Sequence, residues 1–278
     1  MFFLSRSLAA FGDGYVNDAF GTCHRAHASV SGIPSVMDPS VCGIGLLVQA
    51  ELAHLQFPPG GNVAAVVGGS KVSSKLPLIR ELLEKVDVLV LGGGLVFTFL
   101  KASGVHVGSS MVETSMLDMS KEILADAKQR NKMIVLPVDA VCAEQFPNAN
   151  GPPEPTQTFD VTTNSDGIEP GWMGLDVGPR SAEVIRDSLA DADRIILNGP
   201  MGVFEIPPFD AGTRALLQVM VDRTKNGCTT VVGGGDSAAA VRAFDMEKEV
   251  SYVSTGGGAT IELLAGAILP GVAAIANV

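Results

Sequence analysis

Six short runs rich in valine, isoleucine and leucine limit what this chain can fold into: Val63–Val67, Val86–Leu91, Met133–Leu136, Arg194–Leu197, Thr229–Val232 and Val250–Val253. They are close to continuous rather than alternating, as strands buried on both faces should be. Segments with helical spacing lie between them. Leu76, Ile79, Leu82 and Leu83 share one face, as do Ile123, Leu124 and Ala127, and likewise Leu216, Leu217 and Met220 within 210–225. Strand and helix in alternation predict an α/β fold with a parallel sheet covered by helices. With 278 residues, 46% of them apolar, the chain can fill one large domain or two ordinary ones.

Two stretches break the rhythm. Residues 146–172 are rich in proline and polar residues, so no clean helix can form, and a long surface excursion with room for short strands is expected. The front end, residues 1–39, has one plausible helix, one short strand at Tyr15 and Val16 and a polar stretch, too little to bury its own apolar residues. A helix from about Val41 to Leu55 is expected to lead into the main sheet.

A net charge of −11 argues against wrapping nucleic acid or adhering to anionic membranes. It leaves room for a small anion, which a few local lysines can hold. No stretch approaches the roughly 20 apolar residues a membrane helix needs, and the apolar start at Met1–Leu4 is too short for a signal-peptide core. The expectation is a soluble intracellular protein. Cys23, Cys42, Cys142 and Cys228 are far apart with no C-x-x-C pair, which predicts reduced, buried thiols.

The chemistry gathers where strands end. The runs stop at Gly68-Gly69-Ser70-Lys71, Gly92-Gly93-Gly94, Asn198-Gly199-Pro200, Gly233-Gly234-Gly235-Asp236 and Ser254-Thr255-Gly256-Gly257-Gly258. Ligands of open parallel sheets bind beyond the carboxyl ends of the strands, so these turns predict a nucleotide or phosphate site, and packing alone would hardly demand five of them. Gly233–Ala238 fits the G-x-G-x-x-A dinucleotide fingerprint. Two features speak against a dehydrogenase: the turn comes late in the chain, and a bare Asp236 would repel a pyrophosphate. No Gly-Lys-Ser or Gly-Lys-Thr occurs. A magnesium ion between Asp236 and the phosphates reconciles the carboxylate with the turn. Lys71 and Lys75, four apart at a helix start, are expected on one face. Phosphoryl transfer needs mainly positioning and charge neutralisation, not a nucleophilic side chain.

Taken together, YVNDAFGTCHRAH, VVGGSKVSSK, LGGGLVFTFLK, LPVDAV, GWMGLDVGP, NGPMGVFE, GGGDSAAAV and VSTGGGATIELLAG resemble the phosphoglycerate kinase family, in the family's order. The wording is similar to that of plant and cyanobacterial members. The resemblance implies reversible phosphoryl transfer between 1,3-bisphosphoglycerate and ADP, with Mg2+ and ADP or ATP, in glycolysis and carbon fixation. It implies a three-layer Rossmann-like parallel sheet with a remnant of a second α/β domain. By resemblance Lys71 follows the transferring phosphoryl group, Gly69 and Ser70 line the nucleotide beside it, and Lys75 meets the nucleotide phosphates. Gly93, Phe97, Gly174 and Leu175 fall on the adenine pocket. Asn198, Gly199 and Met201 match the nucleotide-lining turn, Glu205 the ribose carboxylate, Asp236 the magnesium position and Ser237 a phosphate-binding hydroxyl. Gly234, Gly235, Gly257 and Gly258 match turns whose amides hold the phosphoryl group in transit. His24 and Arg25 resemble phosphoglycerate contacts, and His27 is read as structural.

The same resemblance divides the chain into a remnant of the phosphoglycerate-binding domain (1–39), an interdomain helix (40–57), the nucleotide-binding domain (58–258) and a returning helix and tail (259–278). The chain starts near the end of the family's first domain. Most substrate arginines therefore have no counterpart, the arginine opposite Lys71 is missing, and the tail should find little to pack against. Phe2, Phe3, Leu4, Leu8 and Phe11, with Leu263, Leu264, Ile268 and Leu269, are expected on an exposed seam. The expectation is a magnesium-nucleotide half that is inactive alone. The alternative is a short non-catalytic nucleotide-binding or regulatory protein. The family's usual state implies a monomer, in the cytoplasm or a plastid.

Overall fold

The computed structural model describes residues 2–57, 60–149, 151 and 155–276. The chain divides into two compact units, Pro59–Val253 and a smaller one made of Met1–Pro58 with Ser254–Val278. Residues 254–258, which the sequence boundaries assign to the large domain, thus belong to the smaller unit.

The smaller unit opens with helix α1 (Phe2–Ala9), strand β1 (Tyr15–Asn17), strand β2 (Cys42–Ile44) and helix α2 (Leu46–Leu55). The helix expected from Val41 starts five residues later, because Cys42–Ile44 pair in parallel with Tyr15–Asn17. Its first turn is closed from a distance: the Asp18 carboxylate accepts the amides of Leu47 at 2.7 Å and Val48 at 3.1 Å. Local sequence offers only Gly45 as a cap, so the start of α2 cannot be read from its own residues.

The larger unit contains β3 (Val63–Val67), α3 (Val72–Lys85), β4 (Val88–Leu91), α4 (Val96–Ala102), α5 (Leu117–Gln129), β5 (Met133–Val135), β6 (Asp139–Ala143), β7 (Thr156–Asp160), β8 (Met173–Val177), α6 (Pro179–Ser188), β9 (Arg194–Asn198), α7 (Ala211–Lys225), β10 (Thr229–Gly233), α8 (Gly235–Ala243) and β11 (Tyr252–Val253). Its six-stranded sheet has the order β11-β10-β9-β3-β4-β5, with every neighbour parallel. All six apolar runs become these strands, with Val86–Leu91 and Val250–Val253 shortened at their starts and Met133–Leu136 at its end. The chain winds outward from β3 to β5, then crosses over and winds outward from β9 to β11. The switch therefore falls between β3 and β9, where a doubly wound sheet opens a crevice.

Ala64, Val66, Ile195, Leu197 and Val232 join Leu189, Leu216, Leu217, Met220 and Val241 in one core. The intervening Ala65, Val67, Leu89, Leu91 and Val231 are fully buried as well, as are Leu78 and Ile79 of α3. Both faces are covered, which explains the unbroken runs.

The 146–172 excursion does contain a strand. β7 pairs antiparallel with β6, which also pairs antiparallel with β8, giving a second sheet of three strands. Residues 150 and 152–154 of that excursion lie outside the described ones. Asp139 of β6 closes the start of α6, accepting Ser181 N at 2.7 Å and Arg180 N at 3.1 Å, while the Ser181 hydroxyl donates to it at 2.6 Å. Ser181 is fully buried. Ser181→Ala should therefore cost about 1–3 kcal/mol, read as a lowered urea midpoint. An unchanged midpoint would mean the Asp139 carboxylate needs only the backbone amides.

Helices α9 (Gly258–Leu264) and α10 (Pro270–Ala276) complete the smaller unit, and here the expected loose tail is corrected. Leu264 and Leu269 are buried, Gly271 N donates to Cys23 O at 2.9 Å, and Asn17 Nδ2 donates to Gly271 O at 3.3 Å. At Gly271 a Cβ would come within 2.6 Å of Val30 Cγ1 and 3.0 Å of Cys23 Cα, so only glycine lets the tail dock this closely. Phe2, Phe3, Leu4, Phe11 and Ile268 are exposed as expected, whereas Leu8 and Leu263 are half-buried. All four cysteines are free thiols, but Cys42, on the small two-stranded sheet, is only half-buried. Among the described residues, no helix is long and apolar enough to cross a membrane.

Candidate functional site

A groove of about 660 Å³ runs along the carboxyl ends of the larger sheet. One wall is Gly69 and Ser70 after β3 with Gly93 and Gly94 after β4. The other is the turn after β9, from Pro200 through Gly202, Val203 and Phe204 to Glu205. Met173, Gly174 and Leu175 of β8 contribute apolar lining, and Asp236 stands in the first turn of α8.

The turns touch backbone to backbone. A Cβ on Gly68 would lie 2.0 Å from Pro200 O, one on Gly199 2.3 Å from Gly68 O, and one on Gly93 2.6 Å from Gly69 N. Gly69, Gly93, Gly199 and Gly234 also hold φ values of 114°, 66°, 107° and 90°, which favour glycine. Gly93 N donates to Met201 O at 3.0 Å and Leu95 N to Gly69 O at 2.9 Å. Packing thus explains Gly68, Gly93 and Gly199, one glycine in each of three of the five clusters. Gly235 is different: a Cβ there meets nothing within 4 Å, and its amide opens α8.

Lys71 and Lys75 do not share a helix face. Lys71 is the N-cap of α3, with extended backbone at φ −128° and ψ 131°, and its side chain is exposed. The i, i+4 rule fails because the helix starts one residue after it. Lys75 is half-buried and donates to Asn198 Oδ1 at 2.5 Å. Burial pulls its pKa down, and the charge of Asp236 partly offsets this. Asn198 is buried and its Nδ2 has no partner within the protein.

Other expected residues sit beneath the groove rather than on it. Phe97 and Met201 are buried. The Phe97 ring fills the space where Gly174 would carry a Cβ, 2.0 Å from Phe97 Cζ, and Met201 Sδ lies 2.4 Å from the corresponding position on Gly92. They support the lining from below. Ser237 is also buried, and its hydroxyl accepts Gly199 N at 2.6 Å, so it braces the neighbouring turn. Glu205 and Asp236 are exposed. Sequence reasoning missed Met111 and Phe146, which line the groove with about half or more of their surface exposed at 52% and 63%. Phe146 could have been found had β6 been read as a strand, since the residue follows its end.

His24, Arg25, Gly257 and Gly258 lie on the smaller unit. His24 Nε2 is 3.2 Å from where Gly258 would carry a Cβ, Arg25 Nε donates to the same nitrogen at 3.3 Å, and His24 Nδ1 is buried without a partner. Gly257 has φ 52°. His27 is exposed. Lys71 and Gly235 belong to one unit and Gly258 to the other.

Among the described residues no group of three His, Cys, Asp or Glu side chains could hold a metal by itself. A single exposed Asp236 carboxylate fits a hard cation that takes most of its oxygens from phosphate and water.

A doubly wound sheet whose strand-end turns crowd one groove, with Glu205 and Asp236 on its lining, has the architecture of the nucleotide-binding α/β class. The family model described as phosphoglycerate kinase matches residues 3–267. The phosphoglycerate kinase of Nostoc sp. is 49% identical over 275 residues, 98% of this chain and 66% of that protein. A chloroplastic phosphoglycerate kinase of Arabidopsis thaliana is 48% identical over 98% of this chain and 55% of its own. The solved phosphoglycerate kinase of Coxiella burnetii superposes with a TM-score of 0.90 at 37% identity, covering 100% of this chain and 69% of that one. The chain belongs to the phosphoglycerate kinase family, and it spans about two thirds of the length of the Nostoc relative.

Proposed function

We propose that this chain binds a magnesium-bridged adenine nucleotide in the larger unit's groove and supplies the nucleotide side of phosphoryl transfer between 1,3-bisphosphoglycerate and ADP. The observation that carries this reading is the cluster at the switch point: a desolvated Lys75, the unpartnered Asn198 Nδ2 and the first turn of α8 with an exposed Asp236. A buried donor left unmade is costly, and a phosphate oxygen would satisfy it. The α8 amides favour an anion there. The apolar lining from Met173, Leu175, Val203 and Phe204 suits a base, and Glu205 is free to take ribose hydroxyls. Magnesium, when bound, supplies charge neutralisation between Asp236 and the phosphate oxygens. Lys71, exposed at the end of its turn, can follow a phosphoryl group, while Gly235 leaves open space for it. His24 and Arg25 would contact phosphoglycerate, with the amides of Gly257 and Gly258 nearby on the same unit.

Calorimetric titration of the 278-residue chain should show heat with MgADP and MgATP, and its absence at millimolar nucleotide would reject the reading. Asp236→Ala should weaken binding about tenfold or more when magnesium is present and little without it, since it removes one charged ligand. An equal loss in both conditions would mean Asp236 shapes the turn instead. Turnover should be slight. The smaller unit carries only two arginines and no lysine for a multiply charged substrate, Arg6 and Arg25, and the Arg6 guanidinium lies over the Phe2 ring at 4.4 Å. A coupled assay giving the usual roughly 1–10³ per second would overturn this part and leave the nucleotide site standing.

A further inference from the structure

Glu113 lies outside every motif singled out in the sequence, on a loop whose Ser109 and Met111 line the groove. Its carboxylate accepts Ser73 N at 2.9 Å and Ser73 Oγ at 2.5 Å. The Val72 amide donates to it as well. Its own amide donates to Thr98 Oγ1 at 3.1 Å, a buried hydroxyl on α4. One residue therefore ties a groove-lining loop to the first turn of α3, immediately after Lys71. Burial would raise the Glu113 pKa, but the bonds from Ser73 and Val72 and the charge of Lys71 outweigh it and hold the carboxyl below its ordinary value. It is ionised at neutral pH and shares the field of that lysine.

We propose that Glu113 is a positioning residue that sets the preference between nucleoside triphosphate and diphosphate by competing with the outermost phosphate for Lys71. The inference rests on the nucleotide reading above. Lys75 is engaged by Asn198 and lies in the field of Asp236, whereas Lys71 is exposed at the edge of its turn. A triphosphate reaching Lys71 must draw it out of the field of Glu113. A diphosphate ending at Lys75 need not. Ser73 holds the carboxylate in place whether or not Lys71 moves.

The test is the ratio of MgATP to MgADP dissociation constants by calorimetry, for the unmodified chain, Glu113→Gln, Ser73→Ala, Lys71→Met and the Glu113→Gln/Lys71→Met pair. Glu113→Gln should tighten MgATP relative to MgADP by roughly two- to fivefold, the span a charge pair near the surface supplies. Ser73→Ala keeps both charges and the amide bonds from Ser73 and Val72, so it should move the ratio less than Glu113→Gln does. In the Lys71→Met background the effect of Glu113→Gln should vanish, which is the coupling a double-mutant cycle isolates. A helix cap alone would move both nucleotides together. Equal shifts for both, no shift, or an effect that survives Lys71→Met would each overturn the proposal while the nucleotide reading stands. An unmodified chain that binds neither nucleotide would overturn the reading and this inference with it. Ser73 is exposed and Glu113 half-buried, and matching thermal midpoints would confirm that the variants fold.

Discussion

Gly199→Ala should lower stability by roughly 2–6 kcal/mol and abolish nucleotide binding, because two costs of about 1–3 kcal/mol each coincide there. The residue has φ 107°, and its Cβ would lie 2.3 Å from Gly68 O and 2.4 Å from Gly68 C. Both neighbours are backbone, so no side chain can swing away. Relief requires separating the turns after β3 and β9, which are also joined by the bond from Gly68 N to Asn198 O at 3.0 Å. Against a total stability of about 5–15 kcal/mol the loss is large. Gly235→Ala gives the contrast. It has open space around its Cβ and lies in the first turn of a helix, so stability should hold or rise slightly while nucleotide affinity falls. A Gly199→Ala chain with an unchanged urea midpoint would show that the turns can part freely.

Stability should also fall as pH rises from 5 to 8, and Asp176 is the group responsible. Burial pushes its pKa from 3.8 to about 8, against the hydrogen bonds it accepts from Gly212 and Val177, while the nearby charge of Asp210 raises it further. Those two amides donate at 2.7 and 2.8 Å. The folded state holds this proton more tightly than the unfolded chain. The stabilisation is therefore complete below pH 3.8 and is lost progressively up to pH 8. At about 1.4 kcal/mol per unit the full effect is on the order of several kcal/mol. Asp38, Glu113 and Asp160 are held low by their hydrogen bonds, so they stay ionised across pH 5–8 and do not contribute. Asp176→Asn should flatten the slope of urea midpoint against pH and leave the variant more stable than the parent at pH 9. Parallel curves would assign the slope to another group. Binding should follow the same trend, since a Cβ on Gly202, in the groove wall, would lie 2.2 Å from Asp176 Oδ1.

Burial on both faces leaves a one-dimensional trace, so the six strands, their parallel pairing and the crowding of their carboxyl ends could be read from runs such as Val63–Val67 and the glycines that stop them. A strand's surroundings are averaged over several residues, which makes that signal robust. The direction of a single side chain is not. Whether Lys75 turns inward to Asn198 while Lys71 stays out depends on α3 beginning at Val72. Its first turn is closed by Glu113, forty residues later. Ser237 reads as a phosphate ligand until Gly199 N takes its hydroxyl. The start of α2 is decided by Asp18, and the tail by the fit of Gly271 against Cys23. In each case the deciding partner is distant in sequence. The residues alone determined the sheet and the place of the groove. The assignment of each glycine, lysine and hydroxyl to packing or to a ligand was decided only when the turns met in space.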